Sequence, residues 1–188
     1  YALKRAHYIR IANSYIKSQR YTEAASALKV AAAILNTFPT VESVKNEAKY
    51  IISGYTNLAS SDIRSRDYQQ AKSALDKAMS ILRDYLEPEK VEAQVRFIIN
   101  SYLNLISMTA AENKDLTVSS AWAILDACEI LVEKNKFLFE IPGVVKRLKL
   151  ILHKATVYDE VIKEIDDWFL GGQGPARATL PTSEKKHM

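Results

Sequence analysis

The sequence has few of the residues that interrupt helices or build covalent and metal centres. Its 188 residues include five glycines, five prolines, three histidines and one cysteine. A single cysteine excludes an internal disulfide and a cysteine metal cluster. Sparse glycine and proline leave little turn punctuation before residue 170, which favours long helices over the many short strands of a barrel or sandwich. We therefore expect an all-α fold.

Long apolar runs are also missing, and so are the residue spacings that are typical of metal and phosphate sites. No run of about 18 apolar residues occurs, so we expect no membrane span. The histidines form no metal-binding spacing, and no glycine-rich loop precedes a helix. Cys128 falls on an inward helix position, where we expect a buried, inert thiol. We expect no catalytic activity, cofactor, metal or small-molecule substrate. We expect an intracellular location, either cytoplasmic or nuclear.

One stretch of the sequence returns 47 positions later. Residues 18–35 read SQRYTEAASALKVAAAIL, and residues 65–82 read SRDYQQAKSALDKAMSIL. Half of the aligned positions are identical, and a weaker third copy follows with an offset of 50. Self-similarity at a fixed spacing indicates a repeated structural unit.

Apolar periodicity divides the chain into consecutive helices. We expect them over residues 2–17, 21–35, 41–64, 68–86, 89–111 and 117–133. They pair as three hairpins, which define repeats over about 2–38, 41–87 and 89–134. Residues 137–142 should be irregular and pack on the stack. Residues 143–170 should form a cap of one kinked helix or two consecutive helices, with Leu150 and Phe169 among its inward side chains.

The two ends of the chain carry separate expectations. The sequence opens on Tyr1 rather than methionine, so we expect a piece of a longer protein. Residues 171–188 are rich in glycine, proline and charge, so we expect a disordered tail whose last residues are vector-derived. The repeat domain then spans residues 1–170.

A Tyr-x-x-Ala motif opens the second helix of the first two hairpins, at Tyr21 and Tyr68. Small residues recur in register at Ala12, Ala24, Ala31, Ala59, Ala71 and Ala78. This pattern resembles the tetratricopeptide-repeat (TPR) superfamily, although the repeat of 47 to 50 residues exceeds the family's length of about 34. The resemblance implies a divergent, right-handed α-solenoid of about three antiparallel helix hairpins plus the C-terminal cap.

In TPR-like stacks the first helix of each hairpin lines a concave groove, and the resemblance implies which residues face it. They are Arg10, Asn13, Lys17, Asn57, Ser60, Arg64, Asn100 and Asn104. Asparagine donates and accepts, so it can hold the backbone of an extended peptide, while arginine or lysine can bind an acidic group. The resemblance thus implies a protein-interaction adaptor or scaffold that binds an extended or acidic segment of another protein. Ile9 replaces the lysine of the chaperone-binding clamp, so we do not expect a chaperone-tail receptor.

Two other interpretations stay open. In the first, the chain is a structural solenoid segment that contacts neighbouring subunits of a complex. The eight polar residues would then only face solvent along the concave side. Nucleic acid is a less favoured partner, raised by a pI of about 9.0. Against it, the cationic excess lies within residues 1–30, and aromatic residues fall mostly at buried positions, whereas a stacking platform needs them exposed.

Overall fold

A computed structural model describes residues 2–37, 42–85, 88–133, 141–154 and 158–170. These residues form eight α-helices, and no strand occurs among them. In chain order the helices are α1 (Ala2–Lys17), α2 (Tyr21–Thr37), α3 (Glu42–Arg64), α4 (Tyr68–Tyr85), α5 (Pro88–Thr109), α6 (Lys114–Glu133), α7 (Ile141–His153) and α8 (Asp159–Leu170). The expected all-α class is confirmed.

Consecutive helices pack in pairs, and the pairs contact one another. α1 contacts α2, α3 contacts α4, α5 contacts α6, and α7 contacts α8. The first three pairs are joined by three or four residues, which is enough only for a reversal of direction, so each is an antiparallel hairpin. The odd-numbered helices also contact one another in the order α1, α3, α5, α7. They therefore form one continuous layer.

The first two hairpins share the same turn. Gln19 and Arg66, which are 47 residues apart, have positive φ angles of 59° and 64°. The backbone amide after each of them donates to the carbonyl five residues earlier, at 2.8 and 2.9 Å. This Schellman arrangement pairs carbonyls that the end of a helix would otherwise leave without a donor. The repeat in the sequence is therefore also a repeat of backbone conformation.

The third hairpin turns differently, which corrects one predicted helix boundary. Asn113 Oδ1 accepts a hydrogen bond from Leu116 N at 3.0 Å, so α6 begins at Lys114. The prediction of a start at Thr117 was wrong, because Asn113 caps the helix earlier than the apolar pattern indicates. Asparagine is favoured there since its side-chain oxygen pairs with an amide that the first turn leaves free.

Small residues lie where helices cross closely. The alanines that carry the TPR resemblance are all fully buried, at positions 12, 24, 31, 59, 71 and 78. Gly54 shows how closely α2 and α3 approach, since a Cβ atom at this position would lie 2.5 Å from Leu28 Cδ2. Small side chains allow helix axes to approach while larger neighbours fill the remaining space. The core thus follows the register of the repeat.

The C-terminal segment is a pair of helices, one of the two forms expected for the cap. α7 begins at Ile141, so the prediction that Ile141 and Pro142 are irregular was wrong, because proline suits the first turn of a helix. Leu150 and Phe169 were predicted to face inward but are 58% and 39% exposed. Both belong to the last helix pair, which has described neighbours on one side only.

Hydrogen bonds from two aromatic side chains help to hold this last pair to the third hairpin. Tyr158 Oη donates to the Ala110 carbonyl at 2.8 Å, and Trp168 Nε1 donates to Glu129 Oε1 at 3.1 Å. None of the described helices is long and apolar enough to cross a membrane. The predicted tail, 171–188, lies outside the described residues.

Candidate partner-binding surface

The eight residues expected to face a groove all lie on odd-numbered helices, and none of them is buried. By helix they are Arg10, Asn13 and Lys17 on α1, Asn57, Ser60 and Arg64 on α3, and Asn100 and Asn104 on α5. Because α1, α3 and α5 contact one another in that order, the three sets belong to neighbouring helices of one layer. We call the exposed and half-exposed side chains of α1, α3, α5 and α7 the odd-helix face.

Two asparagines occupy equivalent places on this face. Residues seven apart lie on nearly the same line along a helix, because one turn contains 3.6 residues. Such a line runs through Tyr50, Asn57 and Arg64 on α3, and through Phe97 and Asn104 on α5, offset by 47 residues. Asn57 and Asn104 are exposed, and neither side chain hydrogen-bonds within the described part of the chain. Both amides can therefore pair with a ligand.

Three of the predicted residues make hydrogen bonds within the protein. Ser60 Oγ donates to a carbonyl of its own helix at 2.9 Å, so the hydroxyl can offer a partner only its acceptor capacity. Arg64 Nη2 donates to Ser61 Oγ at 2.9 Å and keeps further donors. Asn100 Oδ1 accepts from Arg147 Nη1 at 3.1 Å. This last bond extends the odd-helix face from α5 to α7.

Two exposed aromatic rings were missed by sequence reasoning. Tyr50 is 53% exposed and Phe97 is 61% exposed, although aromatic residues were expected at buried positions. The repeat contained the signal, because each ring precedes a predicted face asparagine by seven residues. Lys49 Nζ lies 5.0 Å from the centroid of the Tyr50 ring, which is a cation–π distance.

The charged side chains described on the odd-helix face are all cationic. They are Lys4, Arg10, Lys17, Lys49, Arg64, Arg96, Lys146, Arg147 and Lys149. The carboxylate described on these helices, Asp62, is only 5% exposed, and burial together with the Asp67 charge raises its pKa to about 6. Glu42, Glu47, Glu89 and Glu92 are not among the described side chains. The described cations favour partner groups of the opposite sign.

These cations extend further along the chain than the sequence indicated. The excess was placed within residues 1–30, and α7 adds three cations without a carboxylate. Exposed cations, Arg64 and Arg96, also occur on α3 and α5, although the sequences of these two helices hold equal numbers of cations and carboxylates. One member of the predicted basic cluster, Arg5, is fully buried and does not contribute to the surface. Carboxylates that offset the cations lie on α3 and α5 as well as on the even-numbered helices, and the net charge of the whole chain is +4.

The even-numbered helices contribute a different kind of depression. It has a volume of about 360 Å³ and is lined by residues that include Asp76, Arg83, Tyr102 and Asp126. Arg83 Nη2 pairs with Asp126 Oδ2 at 3.0 Å, and Tyr102 Oη donates to Asp76 Oδ1 at 2.5 Å. Its charges thus have partners within the protein. No group of three metal-ligating side chains occurs in the ranges that the structure describes.

Cys128 is buried, as expected. Burial raises the pKa of its thiol to about 12, so almost none of it is thiolate at neutral pH. The thiolate is the reactive form of cysteine. Cys128 is therefore a core side chain.

Comparison with known proteins found no match to this chain among protein-family models, curated proteins or solved structures. The TPR resemblance therefore rests on the repeated residues in the sequence, and it stays a prediction.

Proposed function

We propose that this chain is a TPR-like adaptor or scaffold domain that binds a segment of a partner protein on the odd-helix face. The proposal includes the right-handed solenoid that the resemblance implies. The observation that carries it is the chemistry of that face, where exposed asparagine amides stand among cations and the exposed side chains described on the odd-numbered helices include no carboxylate. Among these cations Lys149 is less available, because it pairs with Asp166 of α8 at 2.6 Å. The repeated contacts between odd-numbered helices support the stacked arrangement.

The spacing of the asparagines suits an extended peptide. Contacting helices lie about 8–10 Å apart, and a strand advances about 3.3 Å per residue. Asn57 and Asn104, on neighbouring helices, would therefore meet peptide groups about three residues apart. Each amide can donate to a carbonyl and accept from an N–H of the bound backbone. Arg10, Lys17 and Arg64 would bind its acidic side chains.

Charge reversal tests this proposal. The double variant Arg10→Glu/Lys17→Glu should lose most partner capture in a pull-down, because it places two carboxylates where the acidic segment would lie. The matched control is Lys29→Glu/Lys163→Glu, which makes the same change in net charge on exposed residues of α2 and α8. Both variants should keep the helical circular dichroism spectrum, since all four side chains are exposed.

Photo-crosslinking locates the contact independently. A photoreactive amino acid at Asn57 should trap the partner, whereas the same group at Ser80, which is exposed on α4, should not. Two results would contradict the proposal: crosslinks from position 80 only, or partner capture that Arg10→Glu/Lys17→Glu leaves unchanged. Either result would favour a structural solenoid segment whose odd-helix face only contacts solvent.

A further inference from the structure

One side of α1 is open to solvent where the same side of α3 is buried. Five residues on this side are exposed or half-exposed, and we call them the uncovered α1 face: Lys4, His7, Tyr8, Ile11 and Ser14. The residues 47 positions later on α3 are all buried, and they are Ile51, Gly54, Tyr55, Leu58 and Ser61. The repeat therefore marks a side of α1 that packs on a neighbour in the next hairpin.

In the later hairpins the preceding hairpin covers this side. A leucine of α2 packs on Gly54, and Asp76 of α4 accepts a hydrogen bond from Tyr102. Gly54 and Tyr102 are the counterparts of His7 and Tyr8 in the second and third hairpins. The structure describes no hairpin before α1, so the uncovered α1 face is a helix-packing surface that contacts solvent. Such a surface can receive a helix of another molecule.

The uncovered α1 face borders a depression with unpaired cations. The depression has a volume of about 490 Å³ and is lined by Lys4, His7, Tyr8 and Arg10. The sequence of α1 holds no carboxylate, and neither Lys4 nor Arg10 makes an ion pair within the described part of the chain. The two lie about 9 Å apart along the helix, since each residue advances about 1.5 Å. The chemistry of this surface suits a helix that carries carboxylates.

The last helix, α8, presents that charge. Its exposed carboxylates, which we call the α8 acidic face, are Asp159, Glu160, Glu164 and Asp167. None of the four makes an ion pair within the described part of the chain, and Lys163 is the exposed cation beside them. Every charged side chain of α8 is described, so the carboxylate excess of this helix is complete. Glu160 and Asp167 lie about 10 Å apart along the helix, close to the separation of Lys4 and Arg10.

Other carboxylates of the even-numbered helices are less available. Asp76 pairs with Lys72 at 2.7 Å, and Asp126 pairs with Arg83 at 3.0 Å. Within one chain α1 packs on α2 and α3, whereas α8 packs on α7. The uncovered α1 face and the α8 acidic face therefore belong to separate helix pairs, and their charges can combine between two copies of the chain.

We propose that copies of this chain associate head to tail, with the uncovered α1 face of one copy against the α8 acidic face of the next. Lys4 and Arg10 pair with Glu160 and Asp167, and the exposed part of Tyr8 becomes buried. Because the contact joins two different surfaces, it is heterologous and builds a ring or an open chain of copies. The proposal goes beyond the binding of a partner segment, and it uses a different side of α1 except at Arg10, which borders both surfaces.

The net charge of +4 does not prevent this contact at physiological salt. Repulsion between exposed charges is screened beyond about 8 Å, so the pairs formed in the contact matter more than the total charge of each copy. The same screening weakens the exposed pairs themselves as salt rises. The association should therefore be strongest at moderate salt and weaker at high salt.

Sedimentation velocity on the full chain tests the proposal. The average sedimentation coefficient of the wild type should rise with protein concentration from the micromolar to the millimolar range. Lys4→Glu/His7→Glu and Glu164→Lys/Asp167→Lys should each raise the dissociation constant about tenfold or more, because each places like charges in the contact. Both variants should keep the helical circular dichroism spectrum, since all four side chains are exposed.

Mixing these two variants identifies a head-to-tail contact. The mixture pairs each unchanged surface with its unchanged complement and each reversed surface with its reversed complement, so association should return to the wild-type level. A symmetric contact between two uncovered α1 faces would instead be lost in Lys4→Glu/His7→Glu and unaffected in Glu164→Lys/Asp167→Lys. That result would overturn the proposal.

The matched control is Gln69→Glu/Lys114→Glu, which makes the same change in net charge on exposed residues near the beginning of α4 and α6. It should associate like the wild type, and an equal loss in this control would assign the association to net charge alone. A wild type that stays monomeric at every concentration would also overturn the proposal and make the uncovered α1 face a polar end cap. Neither result affects the partner segment, which the pull-down and the photo-crosslinks test separately.

Discussion

The interface between α2 and α3 and the interface between α4 and α5 use the same positions with different side chains. In the first, Leu28 packs on Gly54, where even a Cβ atom would lie 2.5 Å from Leu28 Cδ2. In the second, the positions 47 residues later hold Leu75 and Ser101. A serine fits there and donates its hydroxyl to a carbonyl of its own helix at 2.8 Å. The first interface is therefore the closer one at this position.

The tyrosine beside each of these positions differs in the same way. Tyr55 is 2% exposed and its hydroxyl makes no hydrogen bond within the described part of the chain, whereas Tyr102 donates to Asp76 at 2.5 Å. The residue equivalent to Asp76 in the first hairpin is Lys29. One interface thus depends on close apolar packing and the other on a part-buried polar contact. A repeat keeps its geometry while the means of stabilising each interface changes.

Replacing Gly54 by valine should break the first interface and produce the largest effect. Valine adds a Cβ and two methyl groups where the Cβ alone overlaps Leu28 Cδ2. Overpacking of this kind lowers the free energy of unfolding by about 3 kcal/mol. Urea denaturation followed by circular dichroism measures the change.

The matched control is Ser101→Val, which should change the free energy of unfolding by less than about 1 kcal/mol because serine and valine have similar helix propensities. Adding Leu28→Ala to Gly54→Val should be less harmful than the sum of the two changes, since it removes the overlapping atom. Equal losses at 54 and 101 would mean that the two interfaces are equally close.

Equivalent residues in the last turn of α1, α3 and α5 show a second contrast. Tyr15, Asp62 and Thr109 occupy equivalent positions in the three hairpins. Thr109 is fully buried and its hydroxyl lies 2.9 Å from the Thr117 hydroxyl. Asp62 is 5% exposed, and burial, with a smaller contribution from Asp67, raises its pKa from 3.8 to about 6. The second hairpin therefore holds a carboxyl group where its neighbours hold a neutral side chain.

Replacing Asp62 by asparagine should remove a pH-dependent loss of stability. Below about pH 4 the carboxyl is neutral in both the folded and the unfolded chain. Between about pH 4 and 6 the unfolded chain releases the proton first, so the wild type loses stability as pH rises. Asp62→Asn should therefore raise the free energy of unfolding at pH 8 by about 2 kcal/mol and leave it nearly unchanged at about pH 4.

Urea denaturation of the wild type and Asp62→Asn between about pH 4 and 8 measures the difference in their free energies of unfolding. The titration of other carboxylates cancels in this difference, because both proteins contain them. Asp67→Asn, an exposed change, should give a smaller gain, because the Asp67 charge is the smaller cause of the shift and an asparagine oxygen can still accept from Gln70 N. A constant difference between wild type and Asp62→Asn at all pH values would show that the Asp62 carboxyl has an ordinary pKa.

The elements of the fold could be predicted because helix propensity and apolar spacing are local properties. The repeat added the register of the buried alanines. The largest errors in the predicted boundaries fall at the Asn113 cap and at the first turn of α7, which contains Pro142, while the ends of α2 and α5 differ by two residues. Exposure was harder to predict. Tyr50 and Tyr55 are the same residue type on one helix, yet one is 53% exposed and the other 2%.

The candidate site shows the same limit. Arg5 and Arg10 are both arginines of α1, but Arg5 is fully buried and Arg10 is exposed. A side chain's exposure depends on which neighbouring helix lies over it, and a single helix pattern does not contain that information. That the eight polar residues lie unburied on odd-numbered helices could be predicted because their positions repeat, while their role in binding stays a prediction. The exposure of Tyr50 and Phe97 could not be predicted without the packing of α3 against α5.

Replacing Tyr102 by phenylalanine should have the smallest effect on stability. The change removes only the hydroxyl that donates to Asp76. A hydrogen bond to a charged group contributes about 1.5–3 kcal/mol when buried. Asp76 is half-exposed and also pairs with Lys72 at 2.7 Å, so the free energy of unfolding should fall by only about 1 kcal/mol.

Tyr55→Phe is the matched control, and it should change the free energy of unfolding at neutral pH by less than about 0.5 kcal/mol, because no described group accepts from the Tyr55 hydroxyl. Its effect should appear at high pH instead. Burial raises the pKa of Tyr55 to about 12, so the wild type loses stability as pH rises from about 10 towards 12, when the unfolded chain ionises first. Tyr55→Phe removes that loss. Identical responses of the two tyrosines at neutral pH would show that the Asp76 contact does not distinguish the interfaces.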